Sequence, residues 1–209
     1  NKNEKAKKET NAHFEEVRVE EKAFTSIDRG TSLVPLDRIV GSVGRYHDFD
    51  AKFSPKSHRS DERLKTLMTA LSQGRPIPPI TLYQIKDSYY ILDGHHRYTA
   101  AKNLGHDHIR ACILELLPSK DTLENKLYIE KIGFRDRFSL GNVPELTEPG
   151  QYQHLSEQIK EHNEYLSKQS AERISHVQAA ADWYKTIYLP LRKLIENSGL
   201  IQSFDNRTV

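Results

Sequence analysis

The spacing of hydrophobic and polar residues changes near residue 117, and this change divides the sequence into two parts. Before it, four apolar runs have the length and alternation of β-strands: residues 33–39, 80–85, 89–92 and 109–116. Between the first two runs, apolar residues follow the spacing of one helical face: Leu64, Leu67, Met68 and Leu71. Beyond residue 117 the pattern is helical only, over residues 122–132, 148–166 and 170–198. The pattern of the whole chain predicts an α+β or α/β fold: a small mixed sheet with packed helices, followed by a mainly α-helical C-terminal region.

Glycine and proline residues mark where several of these elements end. Pro35 predicts that the first strand lies at a sheet edge or begins there. Gly74 is suited to end the first helix, since glycine accepts the left-handed conformation at that position. Residues 86–88 join the second and third strands as a hairpin. Another helix follows the third strand and stops at Gly105, and Pro190 predicts a kink in the last helix.

These boundaries predict three segments of the chain. A highly charged N-terminal arm or helix covers residues 1–30, the α/β domain covers 31–117, and a helical C-terminal domain covers 118–209. Trp183 is expected in the core of the helical domain. We also expect that this domain is truncated at its C-terminal end and that it offers a surface for a homodimer.

The composition narrows the class of protein. Hydrophobic residues make up 36% and charged residues 29%, which suits a globular protein with long solvated helices. A net charge of +2 is too small to indicate a nucleic-acid partner by itself. The single cysteine, Cys112, excludes an internal disulfide, fits a reducing compartment and is expected to be buried in its strand. No apolar run approaches the roughly 20 residues that span a bilayer, so we expect a cytoplasmic protein with no membrane partner.

The candidate chemistry is concentrated where the third strand ends and a helix begins. Asp93 and Gly94 form this corner, so the first N–H groups of the helix and its positive dipole end face an anion such as a phosphate. Gly94 allows the turn and the close approach of a ligand. His95 and His96 add imidazole donors, and Arg97 adds a planar fork matched to phosphate oxygens. Asp93 is the one carboxylate of the cluster, and hence the candidate for a catalytic base or a Mg²⁺ ligand.

Other interpretations of the corner remain open from the residues alone. Asp-Gly is an ordinary turn pair, and residues 95–97 can be a solvated first helical turn. A zinc site is not expected, because adjacent helical side chains point about 100° apart. A second histidine pair, His106 and His108, follows Gly105 and is explained as part of a loop.

A polar loop after the first predicted strand is the candidate for the other side of the site. Residues 40–50 contain Arg45, His47, Asp48 and Asp50, which is more polar chemistry than a connector requires. We expect Arg45 and His47 to bind the substrate. Asp48 or Asp50 is expected to supply a second catalytic carboxylate. A plain surface loop is the alternative interpretation.

Residues 93–97, Asp-Gly-His-His-Arg, resemble the corner of the ParB/sulfiredoxin superfamily. ParB partition proteins, sulfiredoxins and free serine kinases share a strand, a Gly-x-x-Arg corner and a helix there. The resemblance covers residues 33–116 and implies that the corner cradles nucleotide phosphates. It looks most like the serine-kinase-type branch, which implies that the glycine, both histidines and the arginine hold the phosphates. In the same branch, Asp93 matches an acidic catalytic position.

The chain departs from each of these families in part. His95 stands where sulfiredoxin keeps its catalytic cysteine, so sulfinyl transfer is excluded. The glutamate and one arginine of ParB's Gly-Glu-Arg-Arg corner are missing, and Asp48 and Asp50 stand in the loop where serine kinases use a glutamate. The stretch 41–46, together with residues 78–80 and 93–97, is also similar to uncharacterised bacterial proteins that join a ParB-like domain to a helical domain, and residues 183–184 and 188–190 resemble that helical domain.

Three functions follow from the resemblance and the residues together. The first is a nucleotide-dependent phosphotransferase, a kinase that uses ATP, ADP or another nucleotide with Mg²⁺ and acts on a small hydroxyl compound such as serine. The second is a non-catalytic, nucleotide-responsive or DNA-binding ParB-like transcriptional regulator. DNA is possible but not favoured, because no basic face or recognition helix stands out. A ParB-like nuclease comes third, since no carboxylate cluster suited to two metals is evident.

Overall fold

The computed structural model describes residues 13–43, 58–170 and 173–199, with the backbone alone for 58–61. The chain divides into two compact units, Asn1–Lys120 and Asp121–Val209. The strands are β1 (Thr25–Pro35), β2 (Ile39–Ser42), β3 (Ile80–Ile85), β4 (Ser88–Asp93) and β5 (His108–Leu117). The helices are α1 (residues 13–20), α2 (His58–Ser72), α3 (His95–Asn103), α4 (Leu123–Phe138), α5 (Gln151–Gln169), α6 (His176–Trp183) and α7 (Leu189–Ser198).

The first unit contains a mixed sheet with the strand order β1-β5-β3-β4-β2. The pairs β1–β5 and β3–β4 are antiparallel, whereas β5–β3 and β4–β2 are parallel. The predicted hairpin is confirmed, since β3 and β4 pair directly across residues 86 and 87. The predicted fold class, a small mixed sheet with packed helices and a helical C-terminal region, is confirmed as well.

The prediction of a single strand over residues 33–39 is wrong. Pro35 ends β1, residues Leu36–Arg38 form a 3₁₀ turn, and β2 begins at Ile39. Pro35 has no N–H to continue the pairing, and the next amide, that of Leu36, donates to the carbonyl of Asp107 at 2.9 Å. The chain therefore leaves one edge of the sheet and forms β2 at the opposite edge, beside β4. The expected edge position of the strand that contains Pro35 is confirmed.

The two faces of the sheet bury different side chains because successive strand residues point to opposite sides. One face carries the main core, together with Tyr98 and Ala101 of α3. The strand residues of this core are Val34, Ile39, Ile80, Leu82, Ile91, Ile109, Ala111 and Ile113. The opposite face buries Tyr90 and Leu116 against Phe14 of α1, whose ring lies 5.1 Å from that of Tyr90. Helix α1 is thus packed on the sheet, and β1 starts at Thr25, inside the segment expected to form the N-terminal arm.

Cys112 is only half-buried, contrary to the expectation that it is buried. Its neighbours Ala111 and Ile113 point into the main core, so the Cys112 side chain points to the other face. There its sulfur lies 3.3 Å from the Oγ1 of Thr31 on the edge strand β1. Close to the edge, this face of the sheet is incompletely covered.

The helical unit has its own core, and Trp183 lies in it as expected. The buried side chains of this core are Phe134, Phe138, Leu140, Tyr152, Ile159, Ala180 and Trp183. The predicted helix over 170–198 is two helices, α6 and α7, joined by a π-helical turn over Tyr184–Tyr188. Pro190 lacks an N–H and crowds the carbonyl four residues before it, and the wider π turn accommodates this defect. Among the helices that the structure describes, none is long and apolar enough to cross a membrane.

Candidate anion-binding cleft

The corner between β4 and α3 has a backbone that only glycine accepts readily. Gly94 has a φ of 101° and precedes the first residue of α3. A Cβ atom at this position would lie 2.5 Å from Cγ2 and 2.8 Å from Cβ of Ile80. The side chain of Ile80 is fully buried in the core and cannot move away. The glycine therefore allows β4 to turn into the helix against the packed start of β3.

Helix α3 begins directly at this corner. The amide of Tyr98 donates to the carbonyl of Gly94 at 3.0 Å, which is the first bond of the helical ladder. The amides of the first helical turn, those of residues 95–97, have no partner within the helix and carry its positive dipole end. Burial raises the pKa of the Tyr98 hydroxyl above its usual value. That hydroxyl stays neutral and adds no negative charge behind the corner.

A cleft of about 300 Å³ lies in front of the helix start. Its lining comes from α2, the proline-rich segment before β3, and the corner: Arg63, Leu67, Pro78, Asp93, Gly94, His95, His96 and Arg97. The cleft holds two arginines against one carboxylate, so it is net positive even with both histidines neutral. The five corner residues singled out from the sequence are thus brought together around one open space.

Arg97 is held by three short contacts at the wall of this cleft. Its Nη1 donates to the carbonyls of Pro78 and Pro79, at 3.0 and 2.5 Å. Its Nη2 donates to Oδ2 of Asp93 at 2.7 Å. Among the described residues, these acceptors use three of the five guanidinium N–H donors. The side chain of Arg97 is 18% exposed and that of Asp93 60% exposed, so the pair lies at the cleft surface.

His95 and His96 take different positions. His95 is buried, and its Nε2 contacts the hydroxyl of Ser42 at the end of β2 in a short hydrogen bond. His96 is half-buried and lines the cleft next to Arg97. The sequence suggested an imidazole donor from each histidine, but Nε2 of His95 is directed at Ser42 instead.

Several predicted site residues lie outside the described part of the chain. These are Arg45, His47, Asp48 and Asp50, and their roles as substrate-binding and catalytic residues stay predictions. Conversely, Ser42 and Arg63 were not predicted from the sequence. Nothing in the local pattern indicates Ser42, whose partner is 53 positions away. Arg63 lies on the predicted helix, but its sequence position alone does not indicate that it faces the corner.

One stretch of the chain matches a known family model. Residues 47–130 match the family model of the ParB N-terminal domain. A search of curated proteins gives no match. Among solved structures, sulfiredoxin from Arabidopsis thaliana is 25% identical, with 40% of this chain and 82% of that chain aligned and a TM-score of 0.31.

Two ParB structures are also similar. A Pnob8-like ParB-N domain is 11% identical, with 69% of this chain and 50% of that chain aligned and a TM-score of 0.29. The C-terminally truncated chromosome-partitioning protein ParB from Caulobacter crescentus, complexed with CTP-gamma-S, is 16% identical, with coverages of 82% and 87% and a TM-score of 0.31. The resemblance to a kinase-type branch stays a prediction. All residues that line the cleft lie in the part of the chain that is similar to the ParB N-terminal domain.

Proposed function

We propose that the cleft binds the phosphate groups of a nucleotide, ATP or ADP with Mg²⁺. The observation that carries this proposal is the open, net positive cleft at the start of α3, where Gly94 leaves no side chain between the backbone and a ligand. Helix N-termini bind phosphates because their first amides are unpaired within the helix and the dipole favours negative charge. The resemblance to the ParB/sulfiredoxin superfamily implies the same role for this corner.

Arg97 and Arg63 supply the charges for this role from two sides. Arg97 is fixed by its backbone acceptors and by Asp93, and it keeps two N–H donors without acceptors among the described residues. Arg63 is exposed on α2 and lines the cleft. A fixed arginine in the first turn of α3 and an exposed arginine on α2 suit a chain of two or three phosphates.

The residues fit Mg²⁺ as a companion of the nucleotide. Among the described residues, no three His, Cys, Asp or Glu side chains group as a protein-built metal site would. Mg²⁺ is usually held by one or two carboxylates together with substrate phosphates. Asp93, exposed at the cleft, offers one such carboxylate. When bound, Mg²⁺ would neutralise charge on the transferred phosphate.

We further propose that the bound nucleotide phosphorylates a small hydroxyl compound, with serine as the first candidate. In this reaction the acceptor oxygen forms a bond to the terminal phosphorus, and the bond from that phosphorus to the bridging oxygen breaks. The hydroxyl proton passes to a carboxylate, for which Asp48 and Asp50 are the predicted residues. The cleft residues hold and orient the phosphates, which is most of what phosphoryl transfer requires.

A non-catalytic, nucleotide-responsive regulator is the second candidate. The observation that favours it is the match of residues 47–130 to the ParB N-terminal domain. In that case the cleft binds a nucleotide without turnover. The two candidates therefore share the binding step and differ only in whether a product forms.

Calorimetry on the full chain with ATP, ADP and CTP, each with Mg²⁺, tests the shared step. Arg63→Ala should weaken binding, whereas Arg38→Ala, another exposed arginine with only a 3.9 Å contact to Asp87, should leave it unchanged. No binding of any nucleotide overturns the proposal. Formation of phosphoserine from ATP or ADP and serine supports the phosphotransferase, and tight binding without any phosphorylated product supports the regulator.

A further inference from the structure

The hydroxyl of Ser42 and the imidazole of His95 form a buried pair behind the cleft. Ser42 is the last residue of β2, and His95 is the first residue of α3. Each is 3% exposed. Ser42 Oγ contacts Nε2 of His95 in a short hydrogen bond, and it also lies 3.3 Å from the carbonyl oxygen of Ile91. The pair thus connects the edge strand to the first turn of the helix.

The second contact of Ser42 indicates where the protons lie. A carbonyl oxygen cannot donate, so the contact with Ile91 is a hydrogen bond only if Ser42 donates its single proton there. His95 Nε2 must then be the donor to Ser42 Oγ. The opposite arrangement would place two oxygen lone pairs face to face in a buried site. The arrangement that satisfies both contacts therefore puts the proton of neutral His95 on Nε2.

Ser42 cannot itself touch a ligand in the cleft. It is buried, and it is not among the side chains that line the open space. It sits in register with Ile91, and the amide of Val43 donates to the Ile91 carbonyl at 2.8 Å, so its backbone is fixed on β4. A hydroxyl on a fixed strand can hold a neighbouring imidazole in one orientation, as partners of functional histidines commonly do.

We propose that Ser42 is a positioning residue of the phosphate site, one that fixes the tautomer and orientation of His95 at the start of α3. The role in ligand binding rests on the proposed nucleotide function. His95 then forms the back of the corner, while His96, Arg97 and Arg63 face the phosphates. Ser42 acts only through His95.

The first test is spectroscopic and requires no nucleotide. In the full chain labelled with ¹⁵N-histidine, the signals of His95 are assigned by their loss in His95→Gln. We expect a protonated Nε2 and an unprotonated Nδ1 in the neutral ring, with a change of tautomer population in Ser42→Ala. An unprotonated Nε2 in the wild-type chain, or an unaltered population in Ser42→Ala, overturns the proposal.

The second test measures nucleotide affinity. Ser42→Ala should weaken binding about tenfold, the size of one hydrogen bond, and Ser42→Thr should restore it to within about twofold because the hydroxyl returns. Ser119→Ala removes a hydroxyl that donates to the Lys22 carbonyl at 2.7 Å, outside the cleft, and should have no effect. Equal affinity in Ser42→Ala and wild type overturns the positioning role. If the wild-type chain binds no nucleotide, the proposed function fails, whereas the spectroscopic test still decides the proton arrangement.

Discussion

Arg97 donates to the carboxylate of Asp93 at 2.7 Å across the Gly94 corner. The same guanidinium also bonds the carbonyls of Pro78 and Pro79. One side chain therefore ties together the end of β4, the segment before β3 and the first turn of α3. Because Asp93 balances part of its charge, Arg97 is stable at the cleft wall before any anion binds. The cleft is shaped in advance, and an incoming phosphate needs little rearrangement.

Replacement of Arg97 tests its proposed contact with phosphate. Arg97→Ala should weaken nucleotide binding by about 2–5 kcal/mol if a desolvated charge contact is lost. Arg97→Lys should recover only part of the affinity, because an ammonium keeps the charge but lacks the planar fork. Calorimetry gives the affinities. Circular dichroism first establishes that each variant is folded, and unchanged affinity in folded Arg97→Ala would remove this residue from the site.

Gly94→Ala should destabilise the first unit more than an ordinary glycine substitution does. The added methyl would collide with Ile80 and the residue would keep a φ of 101°. We expect a loss of about 2–4 kcal/mol in the free energy of unfolding, from strain and overpacking together. Chemical denaturation measures it.

Gly105→Ala is the matched control for this substitution. Its φ is also positive, at 71°, but nothing lies within 4 Å of the added Cβ. It should cost only about 1 kcal/mol, the penalty of the backbone conformation alone. Equal losses in the two variants would show that the contact with Ile80 contributes nothing.

The sequence was sufficient for the features that depend on neighbouring residues. The β3–β4 hairpin, the strand–Gly94–helix corner and the apolar face of α2 are each encoded within about fifteen residues. The corner residues lie together at the cleft because they are adjacent in the chain. The buried position of Trp183 follows from the apolar residues at helical spacing around it.

Features that depend on distant residues could not be predicted in this way. Within the apolar residues 33–39, nothing indicates that Pro35 and Ile39 belong to strands at opposite edges of the sheet. The partner of His95 is Ser42, an unremarkable residue in the pattern, and only the parallel pairing of β2 with β4 brings them together. Arg29 on β1 pairs with Glu115 on β5, and the two residues are 86 positions apart in the chain.

The Arg29–Glu115 ion pair should stabilise the first unit. Glu115 is fully buried on β5, and its carboxylate accepts from Nε of Arg29 on β1 at 2.5 Å. Arg29→Met leaves a buried carboxylate without this partner and should lower the free energy of unfolding by about 3–5 kcal/mol. The double variant with Glu115→Met should regain part of this loss, because the buried carboxylate is then removed.

The exposed pair of Arg18 and Glu15 provides the control for that measurement. Its guanidinium lies 2.8 Å from the carboxylate, and the Arg18 and Glu15 side chains are 36% and 54% exposed, so solvent screens the pair far more than it screens Glu115. Arg18→Met should therefore change the free energy of unfolding by less than about 1 kcal/mol. A loss in Arg29→Met no larger than the loss in Arg18→Met would contradict a stabilising role for the buried pair.

Tyr152 should make the helical unit sensitive to alkaline pH. Its hydroxyl donates to the carbonyl of Pro144 at 2.6 Å. Burial, and secondarily the negative charge of Glu145, raises the pKa of Tyr152 from 10.0 to about 12. Between these values the unfolded chain loses the tyrosine proton while the folded chain keeps it, so the folded state binds more protons. Stability that is fully present below pH 10 is therefore lost as the pH rises toward 12.

Tyr152→Phe isolates this effect, because it removes the titrating hydroxyl and keeps the ring. Near pH 9 the variant should be less stable than wild type by about 1 kcal/mol, since the Pro144 carbonyl loses its donor. That difference should shrink as the pH approaches 12, because only the wild-type chain carries the proton linkage of Tyr152. Urea unfolding followed by the fluorescence of Trp183, the single tryptophan and a member of the same core, reports the stability of this unit. Parallel stability curves for the two proteins from pH 9 to 12 would contradict the linkage, since other groups that titrate there affect both equally.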